Sequence, residues 1–435
     1  HFDNHFKKTW ITEGVDKGAF MHMLEEAAPD AVTFYNMYET FIDQAKYYWE
    51  YTGDEDFARR LLPMVEGCIE REIRRLKPGG EWLFENSLNT WISDSHWSIL
   101  GQCTQASAYM YNMIRLASDL ADTKEKRERY RRQAENVKED LFRLLWQKRK
   151  GVFGYARDLS GSQLFHPEPE LADVYHTAEF GLTDRFQTYQ MLDWVEANLR
   201  QEQTGNGGKL YWSSNWHPNS GRKLPHSTYL LCMGEEMNLA LTYFLLGLVE
   251  PGYEIFKSSY MGIYGAKDAK LAKTENCTLQ EVAADFPCQL NEQGTSMGNP
   301  QFGDSVSMFG RTAHEGVLGV RPMLHIGEVW LSPCIPEELP GIDVKSAVID
   351  YHYQRGEEKL SLHYAMKREG CTLRAAFYLP VAEVLSVETE GRTASWYTEP
   401  GFCGVQVRVL VENADEGSIC VHFAAAQTPP IEERR

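Results

Sequence analysis

The chain has 435 residues, and its 62 acidic residues outnumber its 44 basic ones, which gives a formal net charge of −18 at pH 7. Hydrophobic residues make up 43% and charged residues 24%, a composition that excludes a disordered, collagen-like or coiled-coil protein for the bulk of the chain. The phosphates of a nucleic acid would be repelled by such a charge, and the longest apolar run is far shorter than the roughly 20 residues that span a bilayer.

The chain begins with a predicted pair of helices. Residues 34–49 and 57–76 both place apolar side chains at the 3- and 4-residue spacing of one helix face. Thr52-Gly53-Asp54 separates them and predicts a turn. Pro63 lies inside the second stretch, so it predicts either a kink or a late start for that helix.

The helical pattern continues with an apolar helix followed by a charged one. Residues 97–121 are apolar almost all round and predict a buried helix, whereas residues 124–147 carry a narrow apolar stripe and predict a solvent-facing one. Further helices are predicted at 185–200, 233–249 and 305–320. Because inner, apolar helices alternate with outer, charged ones, we expect an (α/α) toroid, either a six-hairpin barrel or an incomplete one.

After Pro322 the apolar period changes from that of a helix to two, which predicts strands. Seven strands are expected, at Leu324–Leu331, Val344–Tyr353, Lys359–Met366, Thr372–Tyr378, Val384–Val387, Val405–Val411 and Ser418–Phe423. The chain is therefore divided into an (α/α) barrel at 1–322, an antiparallel β-sandwich at 323–426 and a flexible tail at 427–435.

Three long segments, 78–96, 151–178 and 201–229, interrupt the predicted helices and are rich in Gly, Pro, Ser, Asn, Trp and His. Long loops of this kind inside a compact domain are usually functional. The first of them places Glu85, Trp91, Asp94, His96 and Trp97 directly before the buried helix. A carboxyl group walled by indoles there would have a raised pKa, as a general acid requires. Asp94 fits equally well as the N-cap of the helix.

Aromatic and hydrogen-bonding residues also alternate around Trp212, Trp216 and His226. Aromatic faces stack on the C–H faces of sugar rings, while Asn, His and Ser bind hydroxyls, so this mixture suits a carbohydrate site. The alternative is a loop that packs its aromatic side chains on the rim of the barrel.

A third group of polar residues precedes the last predicted helix and contains Glu292 and Asp304. A base that faces an acid across the scissile bond is the minimum requirement of glycoside hydrolysis, and Glu292 could supply it. The alternatives are a solvated loop acid for Glu292 and an N-cap for Asp304. Weaker candidates are the pair Glu235 and Glu236 and the i, i+3 series Asp173, His176 and Glu179, which either line a cavity or merely begin helices.

Three stretches together resemble the (α/α)6-barrel glycoside hydrolases, and in particular the α-L-rhamnosidase-type and trehalase-like enzymes. Residues 47–57 look like the turn between inner and outer helices of such barrels, residues 85–97 are similar in placement to an acid-bearing loop, and Asn291-Glu292-Gln293 is placed like a catalytic base. The resemblance implies that Asp94 or Glu85 protonates the leaving oxygen and that Glu292 activates water, with inversion. It also implies that the subsites are formed by Trp91, His96, Trp97, Trp212, Trp216, His226 and Asp304.

Two other classes of function stay open. A polysaccharide lyase on a related toroid would need a basic groove, and a non-catalytic glycan-binding protein would lack the opposed acids. A carbohydrate would be the partner in each case, and the hydrolase needs no metal or organic cofactor. The nine irregularly spaced cysteines, without a CxxC pair, predict free thiols. The chain begins at His1, so its compartment stays open, a periplasmic or secreted location included.

Overall fold

The computed structural model describes residues 10–19, 35–85, 101–204, 208–215, 229–259, 289–290, 296–297, 303–381, 383–391 and 394–424. Helices dominate these ranges up to about residue 317, and strands dominate them afterwards. Throughout the described ranges, each helix is either too short or too polar to cross a membrane.

The helices of the described ranges are α1 (Tyr35–Thr52), α2 (Glu55–Arg75), α3 (Thr104–Leu120), α4 (Lys124–Leu144), α5 (Leu171–Glu179), α6 (Arg185–Asn198), α7 (Met233–Leu245), α8 (Val249–Lys257) and α9 (Gly303–Arg311). A π-helical turn, Thr312–Val317, continues α9. Helix α3 packs against α1, α2, α4 and α5, and α7 packs against α5, α8 and α9. The contrast expected between α3 and α4 is present, because α3 is buried nearly all round whereas α4 buries only the stripe Tyr130, Ala134, Val137 and Leu141.

Two helix starts differ from the prediction. Helix α2 begins at Glu55 and includes Pro63, so of the two alternatives at Pro63 the late start is wrong. Asp54 caps this helix, since its Oδ1 accepts a hydrogen bond from the backbone N–H of Phe57 at 2.8 Å. Helix α3 begins at Thr104 rather than near residue 97. Its N-cap is Cys103, whose Sγ accepts from the backbone N–H of Ala106 at 3.3 Å, so Asp94 is not the cap of this helix.

Short strands lie between the helices. They are β1 (Gly101–Cys103), β2 (Trp146–Gln147), β3 (Val152–Phe153), β4 (Ala156–Asp158), β5 (Phe165–His166), β6 (Gln201–Gln203), β7 (Lys209–Tyr211), β8 (Leu231–Cys232), β9 (Gln289–Leu290) and β10 (Ser296–Met297). They pair in the orders β1-β4-β5, β10-β9-β8, β2-β3 and β6-β7. The expected loop at 151–178 therefore contains three strands and most of α5, and the expected loop at 201–229 contains β6 and β7.

The C-terminal part forms two five-stranded sheets. Their strands are β11 (Val320–Met323), β12 (Glu328–Leu331), β13 (Gly341–Lys345), β14 (Ile349–Arg355), β15 (Lys359–Met366), β16 (Thr372–Leu379), β17 (Val384–Glu390), β18 (Ala394–Gly401), β19 (Gly404–Val411) and β20 (Glu416–Phe423). One sheet has the order β11-β12-β16-β19-β18 and the other β13-β14-β15-β20-β17. All neighbours are antiparallel except β12 and β16. In β20, burial alternates along the strand, so one face of the sheet lies in the core.

Three strand predictions need correction. Leu324–Ile326 is a 3₁₀ turn that ends at Gly327 with φ +70°, so that strand starts only at Glu328. The stretch Val344–Tyr353 belongs to two strands, because the Ser346 hydroxyl bonds the backbone of Ile349 and closes a turn between them. Strand β18 was not predicted, since most of its residues are exposed and apolar and polar side chains do not alternate along it.

The helices and the sheets share one hydrophobic core. Gly247, which follows α7 with φ +73°, is packed so closely against β16 that a Cβ atom there would lie 1.9 Å from Cδ1 of Tyr378. Only glycine fits this contact, since the backbone conformation and the close approach both exclude a side chain.

Candidate active site

The N-terminal ends of α3, α5 and α7 meet around buried carboxyl groups. Asp173, in the first turn of α5, accepts a hydrogen bond from the backbone N–H of Glu170 at 3.0 Å and is also bonded by the backbone N–H of Gln105 in α3. Glu170 in turn lies close enough to Asp173 and to Glu235 of α7 for their charges to act on it. One carboxyl cluster therefore joins the starts of three helices.

Strand β7 and the residues after it attach to the same helix ends. Glu236 Oε1 accepts from the backbone N–H of Tyr211 at 2.7 Å. The carbonyl of Ser213 accepts from the N–H of Leu171 at 2.9 Å, and the N–H of Ser213 donates to Leu230 at 2.8 Å. The backbone on both sides of Trp212 is thus fixed against α5 and against the strand that leads into α7.

Burial makes these carboxyl groups weak acids. It raises the pKa of Glu170 well above its usual range, and the neighbouring Asp173 and Glu235 raise it further. Burial raises the pKa of Asp173 to about 8, although the backbone hydrogen bonds from Glu170 and Gln105 oppose the shift. Burial also raises the pKa of Glu236 well above its usual range. Near neutral pH Asp173 therefore holds its proton, so this end of the helices contains a neutral carboxylic acid that can donate a hydrogen bond.

The segment that holds most of the predicted acid and aromatic residues is anchored at this end. Glu85 is half-buried, forms an isolated antiparallel bridge with Gln102 and donates its N–H to Leu76 at 2.8 Å. The residues that flank the segment 86–100 are therefore neighbours in space, directly before α3. Trp91, Asp94, His96 and Trp97 lie outside the described residues.

The segment that contains Glu292 is anchored beside α7. Strand β8, which leads into α7, pairs with β9 through Leu231 opposite Leu290 and Cys232 opposite Gln289. Strand β9 also pairs with β10, and residues 291–295 lie between them. Glu292, Trp216 and His226 lie outside the described residues.

Two other predicted binding residues are placed by the structure. Asp304 lies in the first turn of α9, which packs against α7. Trp212 is fully buried, with the guanidinium carbon of Arg200 3.9 Å from its ring centroid and the ring of Tyr229 at 4.7 Å. A sugar would stack on this indole only if the side chains that cover it, Arg200 and Tyr229 among them, moved. Substrate binding by Trp212 stays a prediction.

A second charged network lies at the opposite ends of α5 and α9. Arg311 pairs with Glu179, with Tyr47 of α1 and with Glu315 at 3.2 Å. Burial acts to raise the pKa of Glu179, but the charge and hydrogen bond of Arg311 outweigh it and lower that pKa to about 2. Glu179 is six residues after Asp173, which is about 9 Å along the helix axis. Helix α5 thus carries a neutral acid, Asp173, at one end and an ion pair at the other.

Asp173, His176, Glu179 and the pair Glu235 and Glu236 are only weaker candidates in the sequence. Their i, i+3 and adjacent spacings were the available signal. His176 is buried against the rings of Tyr109 and Phe180, and burial lowers its pKa to about 4. Three further residues of the carboxyl cluster and the charged network, Tyr47, Glu170 and Arg311, were not candidates from the sequence, because their roles depend on partners on other helices.

No protein-family model matches the chain, and no curated relative matches its sequence. Solved structures do match its fold. An α-L-rhamnosidase of Streptomyces avermitilis complexed with L-rhamnose has a TM-score of 0.58 at 11% identity, over 96% of this chain and 36% of that one. An α-L-rhamnosidase from Dictyoglumus thermophilum has a TM-score of 0.54 at 11% identity, over 97% and 43%. A GH78 family rhamnosidase of Bacillus sp. GL1 has a TM-score of 0.52 at 11% identity, over 79% and 32%.

The resemblance to rhamnosidase-type proteins that the sequence indicated is therefore confirmed at the level of the fold. This chain spans between about a third and two fifths of the length of those structures.

Proposed function

We propose that the protein is a glycoside hydrolase whose active site lies at the N-terminal ends of α3, α5, α7 and α9. One observation carries the proposal: the segments that hold Asp94 and Glu292 are both anchored on helix starts that share the carboxyl cluster of Glu170, Asp173 and Glu235. The similarity in fold to α-L-rhamnosidases supports a sugar as the substrate. We also infer that the helices close as an (α/α) toroid and that the two sheets pack as a sandwich.

In the proposed reaction, water replaces the leaving sugar at the anomeric carbon. Asp94 or Glu85 gives its proton to the glycosidic oxygen while the C–O bond breaks, and Glu292 takes a proton from the attacking water on the opposite face. Both acids are on segments that begin and end beside the helix starts. A carboxyl separation of about 6.5–9.5 Å would give inversion, and one of about 5 Å would give retention.

The neutral acid Asp173 has an electrostatic role in this scheme. A protonated Asp173 would add no negative charge near the proposed base Glu292, so it would not raise the pKa of that base by repulsion as an ionised neighbour would. The subsites above would be formed by stacking and hydroxyl-binding side chains: Trp91, His96, Trp97, Trp212, Trp216, His226 and Asp304. No metal or organic cofactor has a step in this reaction.

The proposal is tested by assaying Asp94→Asn, Glu85→Gln and Glu292→Gln on a glycan panel that includes α-L-rhamnosides. Loss of a general acid or base lowers turnover by on the order of 10²–10⁴-fold. Glu139→Gln, on the exposed side of α4, is the matched control and should leave turnover unchanged. NMR of the first-formed anomer separates inversion from retention.

Each other outcome of this assay has a definite meaning. Wild-type turnover in all three variants would refute the assignment of these acids. Products with an unsaturated end would show a lyase, and glycan binding without turnover by the wild-type protein would show a binding protein.

A further inference from the structure

One face of the C-terminal sheet β13-β14-β15-β20-β17 presents a cysteine, a histidine and a glutamate together. Strand β20 buries Ile419 and Val421, while Cys420 and His422 lie two residues apart and share the outer face. On the neighbouring strand β17, Glu388 stands directly opposite Cys420 in the antiparallel register. Side chains at directly opposite positions are near neighbours on the same face.

A β-bulge brings the glutamate to this position. Val384 pairs with Phe423, but the next pair is Ser386 with His422, so Leu385 is an extra residue in β17. If Leu385 instead paired regularly with His422, the register would place Glu388 opposite Ile419, and its side chain would point into the core. Bulges commonly re-aim side chains in this way. The third potential ligand is therefore on the outer face because of a specific irregularity in the backbone.

The distances suit a metal ion. Cys420 Sγ lies 3.2 Å from His422 Nε2, and His422 Nε2 lies 3.7 Å from Glu388 Oε1. All three potential ligand atoms are within 4.8 Å of one another. Tetrahedral Zn²⁺ with metal–ligand distances of about 2.0–2.3 Å separates such atoms by about 3.4–3.6 Å. The two separations that involve His422 are within a few tenths of an ångström of these values. A rotation of the exposed Glu388 side chain would close the remaining Sγ–Oε1 separation, which is no more than 4.8 Å.

We propose that Glu388, Cys420 and His422 form a binding site for a divalent transition metal of the zinc type. A donor set of one sulfur, one imidazole nitrogen and one carboxylate oxygen favours Zn²⁺, Co²⁺ or Cu²⁺ over Mg²⁺ and Ca²⁺, which prefer oxygen alone. Glu388 is exposed and the other two residues are half-buried, so a solvent water has access to the fourth position. The strongly acidic chain also favours the approach of a cation. This site is independent of the proposed glycosidase function.

The test is a titration of the reduced full-length chain with Co²⁺, followed by displacement with Zn²⁺. A thiolate ligand to Co²⁺ produces a charge-transfer absorption in the near ultraviolet, and we expect it to saturate at one equivalent. Cys420→Ser should abolish the band. His422→Ala and Glu388→Gln should each weaken Zn²⁺ binding by on the order of tenfold or more.

Cys403→Ser is the matched control, because Cys403 is exposed but lies outside the trio, and it should keep the band. Persistence of the band in Cys420→Ser would overturn the proposal. Unchanged Zn²⁺ affinity in Glu388→Gln, a substitution at an exposed position that leaves the fold intact, would overturn it as well. In that case Cys420 and His422 form only a thiol–imidazole hydrogen bond.

Discussion

The ion pair between Glu179 and Arg311 should make a large, pH-dependent contribution to stability. The informative change is Glu179→Gln, which keeps the shape of the side chain and its ability to accept hydrogen bonds but removes its charge. The Glu179 side chain is only 11% exposed, and Arg311 is 18% exposed, so water cannot replace the lost interaction efficiently.

The magnitude follows from the pKa of Glu179, which falls from 4.5 to about 2 on folding. A difference of about 2.5 pH units, at roughly 1.36 kcal/mol per unit, corresponds to about 3 kcal/mol. Because the folded-state pKa is the lower one, this stabilisation is complete above pH about 4.5 and disappears as the pH falls through about 2. Glu179→Gln should therefore lower the free energy of unfolding by about 3 kcal/mol at pH 7, and the two proteins should converge in acid.

Urea unfolding of both proteins between pH 2 and pH 7, followed by circular dichroism, measures this difference. Asp56→Asn is the matched control, since Asp56 and Arg59 form an ion pair in which both side chains are more than 70% exposed. That variant should stay within about 0.5 kcal/mol of the wild type. A Glu179→Gln effect as small as that of the control, or one that does not shrink in acid, would show that the ion pair does not stabilise the fold by this amount.

Asp173→Asn tests the raised pKa of Asp173, which increases to about 8 on folding. As the pH rises from about 4 to about 8, the free energy of unfolding of the wild type should fall by about 1.4 kcal/mol per pH unit relative to that of the variant. Parallel stability curves for the two proteins would contradict the raised pKa. Gly247→Ala should lower the free energy of unfolding for two reasons. A left-handed backbone conformation costs a non-glycine residue roughly 1–2 kcal/mol. The added Cβ would also clash with the ring of Tyr378, so the total loss should be well above that value. Gly327→Ala is the matched control, because Gly327 has a similar φ of +70° with open space around it, and only the backbone cost should appear in its thermal unfolding. Equal decreases in Tm for the two variants would mean that the clash with Tyr378 is relieved without strain.

The helices could be predicted because their signal is local. The apolar stripe of α4 and the all-round apolar pattern of α3 are visible within about 20 residues of sequence and determine which helix is buried. Strands β1 and β8 escaped prediction because two or three residues are too short to show alternation. Their pairing also depends on distant residues, as with Leu231 and Leu290.

The candidate site could be predicted only by residue type. The spacing of Asp173 and Glu179 on α5 was visible, but nothing in the sequence showed that one would be a neutral acid and the other an ion-pair partner. That difference arises from Arg311, which is 132 residues away from Glu179. The bulge at Leu385 is a further example, because a one-residue change of register decides where Glu388 points and leaves no local pattern.

We propose that the segments 86–100 and 291–295 face one bound saccharide over the starts of α3, α5, α7 and α9. A crystal structure of the full chain soaked with a mixture of oligosaccharides would test this arrangement. We predict a sugar held between carboxyls of the two segments, above Asp173 and Glu170. A sugar bound instead in the groove beside Tyr353 and Arg355, with these helix ends closed by packed side chains, would contradict it.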